Sequence, residues 1–143
     1  MELMARTDLP LARGDGAAAL IEAITCGLQT DSGLCALRFD GGSLLLPQTR
    51  STPLPERTPV RVRIQARDVS LSLVEPEQTS VLNILPATVT DVSDDGPGQV
   101  LVGLRLGEHT RLLSRISRLS RDRLGIAPGV ALYAQIKGVA MVR

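Results

Sequence analysis

Aromatic side chains are almost missing from this chain: its 143 residues hold one Phe, one Tyr and no Trp. Single-stranded nucleic acid is gripped largely by stacking bases on such rings, so that class of ligand finds almost nothing to stack on. Formal net charge is +1, which leaves no strong global field to attract nucleic acid or an anionic membrane surface. No apolar run approaches the roughly 20 residues that span a bilayer, and the opening MELMARTDLP lacks the apolar core of a signal peptide. Cys26 and Cys35 are the only cysteines. Both lie in strand-like sequence with no secretory signal before them, and they read as reduced cytoplasmic thiols rather than a disulfide framework.

The missing motifs exclude as much. There is no GxxxxGK(S/T) phosphate loop, no CxxC and no HExxH, and the sole histidine, His109, stands in a turn-like segment. The acids Asp31, Asp40, Asp94, Asp95 and Glu108 are scattered over turns. Without a paired nucleophile and base, or metal-ligand spacing, the chain carries no catalytic constellation, so no catalytic residue, metal or cofactor is expected.

What is present is a repeat. The stretch VRVRIQARDVSLSL returns at the C-terminus as VALYAQIKGVAMVR, 70 positions on. Val60 falls on Val130, Val62 on Leu132, Gln65 on Gln135, Arg67 on Lys137, Val69 on Val139 and Leu71 on Met141. An internal repeat has to be recognised before a fold is assigned, and this one describes two versions of one small module. In the first copy the apolar residues are Val60, Val62, Ile64 and Ala66, then Val69, Leu71 and Leu73 after Arg67-Asp68. The second copy has Val130, Leu132, Ala134 and Ile136, then Val139 and Met141 after Lys137-Gly138. Side chains alternate faces along a strand, so this switch from even to odd positions predicts a bulge or a sharp bend in each copy, with a basic residue at the irregularity.

The rest of the chain follows the same plan twice. Residues 1–16 read as a linker and the start at MELMART as a cut in a longer chain; 17–78 form a first module and 79–143 a second. Strands are expected over Ala17 to Leu28, Cys35 to Phe39, Ser43 to Pro47 and Val60 to Leu73. In the second module they are expected over Ala87 to Val92, Val100 to Leu106 and Thr110 to Ser114. Asp40-Gly41-Gly42 and Gly107-Glu108 supply hairpin turns, and Gln48 to Pro59, with Pro53, Pro55 and Pro59, is a loop. In the second module SRISRLSRDRLGIAPG replaces that loop. Its Ile116, Leu119 and Arg123 would share one helical face, and Gly125 and Pro128 would stop the helix. The fold expected is all-β: two small OB-like barrels in tandem, with one short helix capping the second. Each module is about 60 residues long, marginal for independent folding, so the two should pack on each other or on a partner.

Two polar clusters could bind something. Thr79, Ser80 and Asn83 open the second module with hydroxyl, amide and backbone donors, and Lys137 and Gly138 stand at its parity break. One ammonium group among such donors suits a small tetrahedral oxyanion; turn capping by Ser and Thr with a solvated lysine is the other reading. Arg111, Arg115, Arg118, Arg121 and Arg123, offset by Asp122, read as a solvated helix face or a protein-contact surface rather than a nucleic-acid patch.

The segments RIQARDVSLSL, TSVLNILPATV, GQVLVGLRL, RLGIAPG and YAQIKGVAM, in that order, resemble the C-terminal region of the ATP-binding subunit of bacterial molybdate ABC transporters. The second module is similar to its molybdate-binding Mop, or TOBE, module. The resemblance implies two OB-like barrels, a homodimer formed through them, and a cytoplasmic position at the inner membrane beside a transporter ATPase domain and a permease. It implies no nucleic-acid partner. It also implies an oxyanion ligand, molybdate or tungstate, held by a serine and neighbouring backbone in a segment with an asparagine, here Ser80 and Asn83, and by a lysine of the final strand, here Lys137. Leu82 stands where that family usually has arginine, and Gly138 where serine is common. A lost charge-assisted contact is typically worth ~1.5–3 kcal/mol, or roughly one to two orders of magnitude in affinity. Three functions are consistent with this reading: a regulatory domain that dimerises and binds the oxyanion, a structural dimerisation domain with no ligand, and a free-standing molybdate-binding storage protein.

Overall fold

The computed structural model describes residues 16–29, 33–47 and 55–142; the expected linker up to residue 15 and most of the proline loop lie outside them. Ten strands and one α-helix are found there: β1 (Ala18–Gln29), β2 (Leu34–Phe39), β3 (Gly42–Pro47), β4 (Pro59–Gln65), β5 (Val69–Ser72), β6 (Asn83–Asp94), β7 (Gln99–Leu106), β8 (Thr110–Ser117), α1 (Arg118–Leu124), β9 (Ala131–Ile136) and β10 (Ala140–Val142). They form two five-stranded sheets, in the order β10-β4-β1-β2-β3 and β5-β9-β6-β7-β8. The expected all-β class with two OB-like units and a single short helix is what the structure shows, each unit a curled sheet.

The parity breaks turn out to be crossovers. After β4 the chain makes a single 3-10 turn over Ala66–Asp68, closed by the Val69 N–H on the Ala66 carbonyl. It then leaves the first sheet, and β5 pairs with β9 of the second, Val69 opposite Ile136 and Ser72 opposite Tyr133. The second repeat returns the exchange: past Ile136 the chain crosses back, and β10 pairs with β4, Met141 opposite Val62. Each sheet therefore takes its last strand from the other repeat. The inner residue at the first crossing is Ala66, buried in a small cluster with Ala17, Leu101 and Leu113, where a bare methyl lets the turn lie close on its neighbours. Alternation survives on each side, with Val62 and Ile64 buried before the turn and Val69 after it. Met141 departs from the expected pattern. It is 37% exposed, because the short β10 is an edge strand paired only with β4.

Exchange merges the two interiors. One continuous apolar cluster takes Ile21, Leu37, Val62 and Ile64 from the first sheet together with Val69, Leu104, Leu112 and Ile136 from the second. The buried Ser114 hydroxyl on β8 donates to the Val69 carbonyl at 2.6 Å, tying the two edges of the second sheet together and curling it on itself. The helix closes nothing with its expected face. β8 runs on to Ser117, so Ile116 is a strand residue, and Leu119 is 59% exposed. Leu124 and the buried Ile126 pack on the core instead. The helix begins where the Ser117 hydroxyl accepts the Ser120 N–H and ends at Gly125 in the left-handed region, the stop its sequence predicts.

Two hairpin tips meet between the sheets. The Asp40 carboxylate accepts the His109 N–H at 2.7 Å, and the Asp40 carbonyl accepts the Thr110 hydroxyl. Gly41 and Gly107 lie back to back: a Cβ on Gly41 would stand 2.7 Å from the Leu106 carbonyl carbon, and one on Gly107 would stand 2.8 Å from the Gly41 Cα. Backbone cannot retreat as a flexible side chain can, so these glycines are needed for space as well as for their positive φ. Gly41→Ala should cost about 2–4 kcal/mol, read by chemical denaturation. Gly96→Ala, at a positive φ but with nothing within 4 Å, should cost about 1 kcal/mol.

Candidate functional site

The site expected around the second parity break is assembled by the register of β6 against β9. Asn83 stands opposite Ile136 and Ile84 opposite Gln135, so one step further out Leu82 meets the level of Lys137. The segment opening the second repeat and the end of β9 thus lie side by side, although more than 50 residues separate them in sequence. Thr79, Ser80, Leu82 and Lys137 are all exposed. Gln78 has a left-handed φ of 54°, and the Thr79 hydroxyl accepts the Val81 N–H at 3.1 Å. Thr79 therefore serves its own turn, while the Ser80 hydroxyl and the Lys137 ammonium face solvent.

Asn83 does different work. Its Nδ2 donates to the Leu45 carbonyl at 2.9 Å, and its Oδ1 accepts the Leu45 N–H at 2.8 Å. One side chain thus pairs with a residue on the edge of β3 as a neighbouring strand would. Its amide is engaged with the other sheet rather than turned toward the site.

Lys137 and Gly138 meet a residue that the polar-cluster reading did not include. The Lys137 N–H donates to the Asp68 carbonyl at 2.8 Å. The Asp68 carboxylate lies against Gly138, where a Cβ would stand 2.8 Å from Oδ2 and 3.1 Å from Cγ. Asp68 and Gly138 are equivalent positions in the two repeats, 70 residues apart, so the crossovers touch each other. The repeat alignment carried that signal, but nothing in sequence says that equivalent positions are in contact.

Within the arginine series, Arg115 is drawn inward. Arg115 pairs with Asp95 at 3.0 Å, with side chains 17% and 5% exposed. Losing one partner of a buried pair typically costs 3–5 kcal/mol, against at most about 1 for exposed pairs such as Arg61–Glu22. Arg118 reaches Asp94 at 3.6 Å and Arg121 its neighbour Asp122 at 3.0 Å. Arg115 and Arg118 hold β8 and α1 to the β6–β7 turn, while Arg118 and Arg123 stay exposed. Both cysteines are free thiols. Among the described residues no group of three His, Cys, Asp or Glu could hold a metal ion, and no helix is long and apolar enough to cross a membrane.

Two curled five-stranded sheets that exchange their last strands define a tandem OB-like fold. Comparison with known proteins agrees. The TOBE domain family matches residues 79–142. The chain is 47% identical over 141 residues to the Molybdenum import ATP-binding protein ModC of Albidiferax ferrireducens, covering 99% of this chain and 37% of that one. It is 46% identical over 143 residues to ModC of Rhodopseudomonas palustris, again 37% of that protein's length. Among solved structures, the cytoplasmic molybdate-binding protein ModG, with molybdate bound, superposes with a TM-score of 0.72 at 22% identity, over 86% of this chain and 92% of that one. Residues 79–142 match the TOBE domain family, and nearly the whole chain is similar to the C-terminal part of the molybdenum import ATP-binding proteins. It spans about 37% of the length of those relatives.

The Asn83 clamp has a measurable consequence. Asn83→Ala leaves a half-buried N–H and C=O of β3 without partners, and should cost about 1–3 kcal/mol by chemical denaturation.

Proposed function

We propose that this chain is the accessory region of a molybdate-import ATPase, that it pairs with the same region of a second subunit through its barrels, and that it holds a molybdate or tungstate ion at the seam between β6 and β9. The observation that carries the reading is the register that sets the Thr79–Leu82 turn beside Lys137 within a TOBE domain. The ligand groups are the Ser80 hydroxyl, the backbone N–H groups of that turn and the Lys137 ammonium. Thr79 shapes the turn, Asn83 anchors it to β3, and Gly138 leaves room beside the lysine for the Asp68 carboxylate. Hydroxyl and amide donors with one ammonium match the four oxygens and the charge of a tetrahedral dianion.

Bound anion would regulate transport only if it bound one arrangement of the paired subunits more tightly than another. The ATPase domain and the membrane permease are the partners through which that preference would act, on the cytoplasmic face of the membrane. A second reading, a dimerisation domain with an unused site, is favoured by the commitment of the Asn83 amide to Leu45 and by leucine at 82, which brings no charge to the seam.

Isothermal titration with molybdate separates the two. A saturable heat, weakened about ten- to a hundredfold by Lys137→Ala, is expected for the binding domain, the loss of one charge-assisted contact. A dimer by sedimentation with no heat at about 1 mM molybdate would favour the structural one.

A further inference from the structure

Gly138 needs no glycine for its backbone: its φ is not positive, unlike those of Gly41, Gly107 and Gly125. What a side chain there would meet is a neighbour. The Asp68 carboxylate fills the space a Cβ would take, 2.8 Å from Oδ2, while the Asp68 carbonyl holds the Lys137 N–H at 2.8 Å. One aspartate from the first repeat's crossover is thus packed onto the two residues of the second repeat that carry the proposed site. We infer that Asp68 sets the affinity and the charge selectivity of that site, by placing a carboxylate against Gly138, the residue after the lysine whose ammonium would hold an oxyanion. The inference rests on the reading given under Proposed function and names a residue outside its ligand set.

The physical argument is Coulombic. Repulsion between a fixed carboxylate and a ligand scales with the ligand's charge, so a dianion is opposed twice as strongly as a monoanion of the same shape. Free energy is logarithmic in affinity. If removing the charge tightens a tetrahedral dianion by about tenfold, an isosteric monoanion gains the square root of that, about threefold. A contribution from shape alone would favour both anions equally. In Asp68→Asn the carboxamide keeps nearly the same volume against Gly138, so the substitution isolates the charge.

The test is a titration of molybdate and of perrhenate, its singly charged tetrahedral counterpart, into the wild-type chain, Asp68→Asn and Asp68→Ala. Expected is a gain of about tenfold for molybdate and about threefold for perrhenate in Asp68→Asn, abolished when Lys137→Ala is added. Asp68→Ala should show the same ordering, and it serves in place of the amide variant if that one does not fold. Unchanged or weaker molybdate binding in the folded variants, beside a wild type that binds, overturns this inference and leaves the proposed function standing. Equal gains for both anions also overturn it, assigning the effect to space rather than charge. Failure of both variants to fold makes Asp68 structural and overturns it as well. No binding of either anion by any of the proteins removes both readings together.

Discussion

Everything in this structure depends on the reciprocal exchange of last strands. Neither repeat can complete a sheet from its own residues: β5 satisfies the edge of β9 and β10 that of β4. The backbone groups of those edges are strong, obligatory hydrogen-bonding groups, and leaving them bare in a unit of about 60 residues would be costly. Exchange solves the size problem at the same time, because it puts Val69 into the second sheet and merges both interiors into one cluster. The tandem arrangement is therefore a requirement of each half, and not a pair of independent domains joined by a tether.

The proposed site is a by-product of the same crossing. Where two strands leave their sheets, backbone N–H and C=O groups fall out of ladder register and become available to other partners. Here one such pair is used internally, Lys137 N–H on the Asp68 carbonyl. The remainder lies beside the turn that opens the second repeat. The side chains around it divide by role. Asn83 is spent on holding β3, Thr79 on its own turn, and Lys137 and Ser80 are left to solvent. Magnitudes decide the arginines in the same way. A buried pair such as Arg115–Asp95 is committed to the fold, since breaking it would strand a charge away from water.

Much of this was legible before any coordinates. The switch of apolar parity at Arg67-Asp68 and at Lys137-Gly138 marked both crossovers, because a strand has a strict period of two and cannot change face without an irregularity. Gly125, Pro128 and the spacing of Ile116 and Leu119 marked the helix, although its inward face was misassigned. β8 continues three residues beyond the expected Ser114, and that shift turns Leu119 outward. β6 likewise begins at Asn83 rather than Ala87, so a residue read as part of an irregular segment is the first of a strand. Ends of elements are where local pattern is weakest, since pairing partners rather than propensity decide how far a ladder runs.

The sequence by itself determined that the chain is two copies of one strand-rich module, where each copy breaks, and which polar residues open the second. Those properties are local: alternation, turn residues and spacing are written in neighbouring positions. Only the tertiary structure decided that each break sends the chain into the other copy's sheet, that Asn83 reaches Leu45, and that Asp68 rests on Gly138. Pairing between distant strands is chosen by which edges can satisfy each other and bury the most apolar surface together, and no short window of sequence contains both edges.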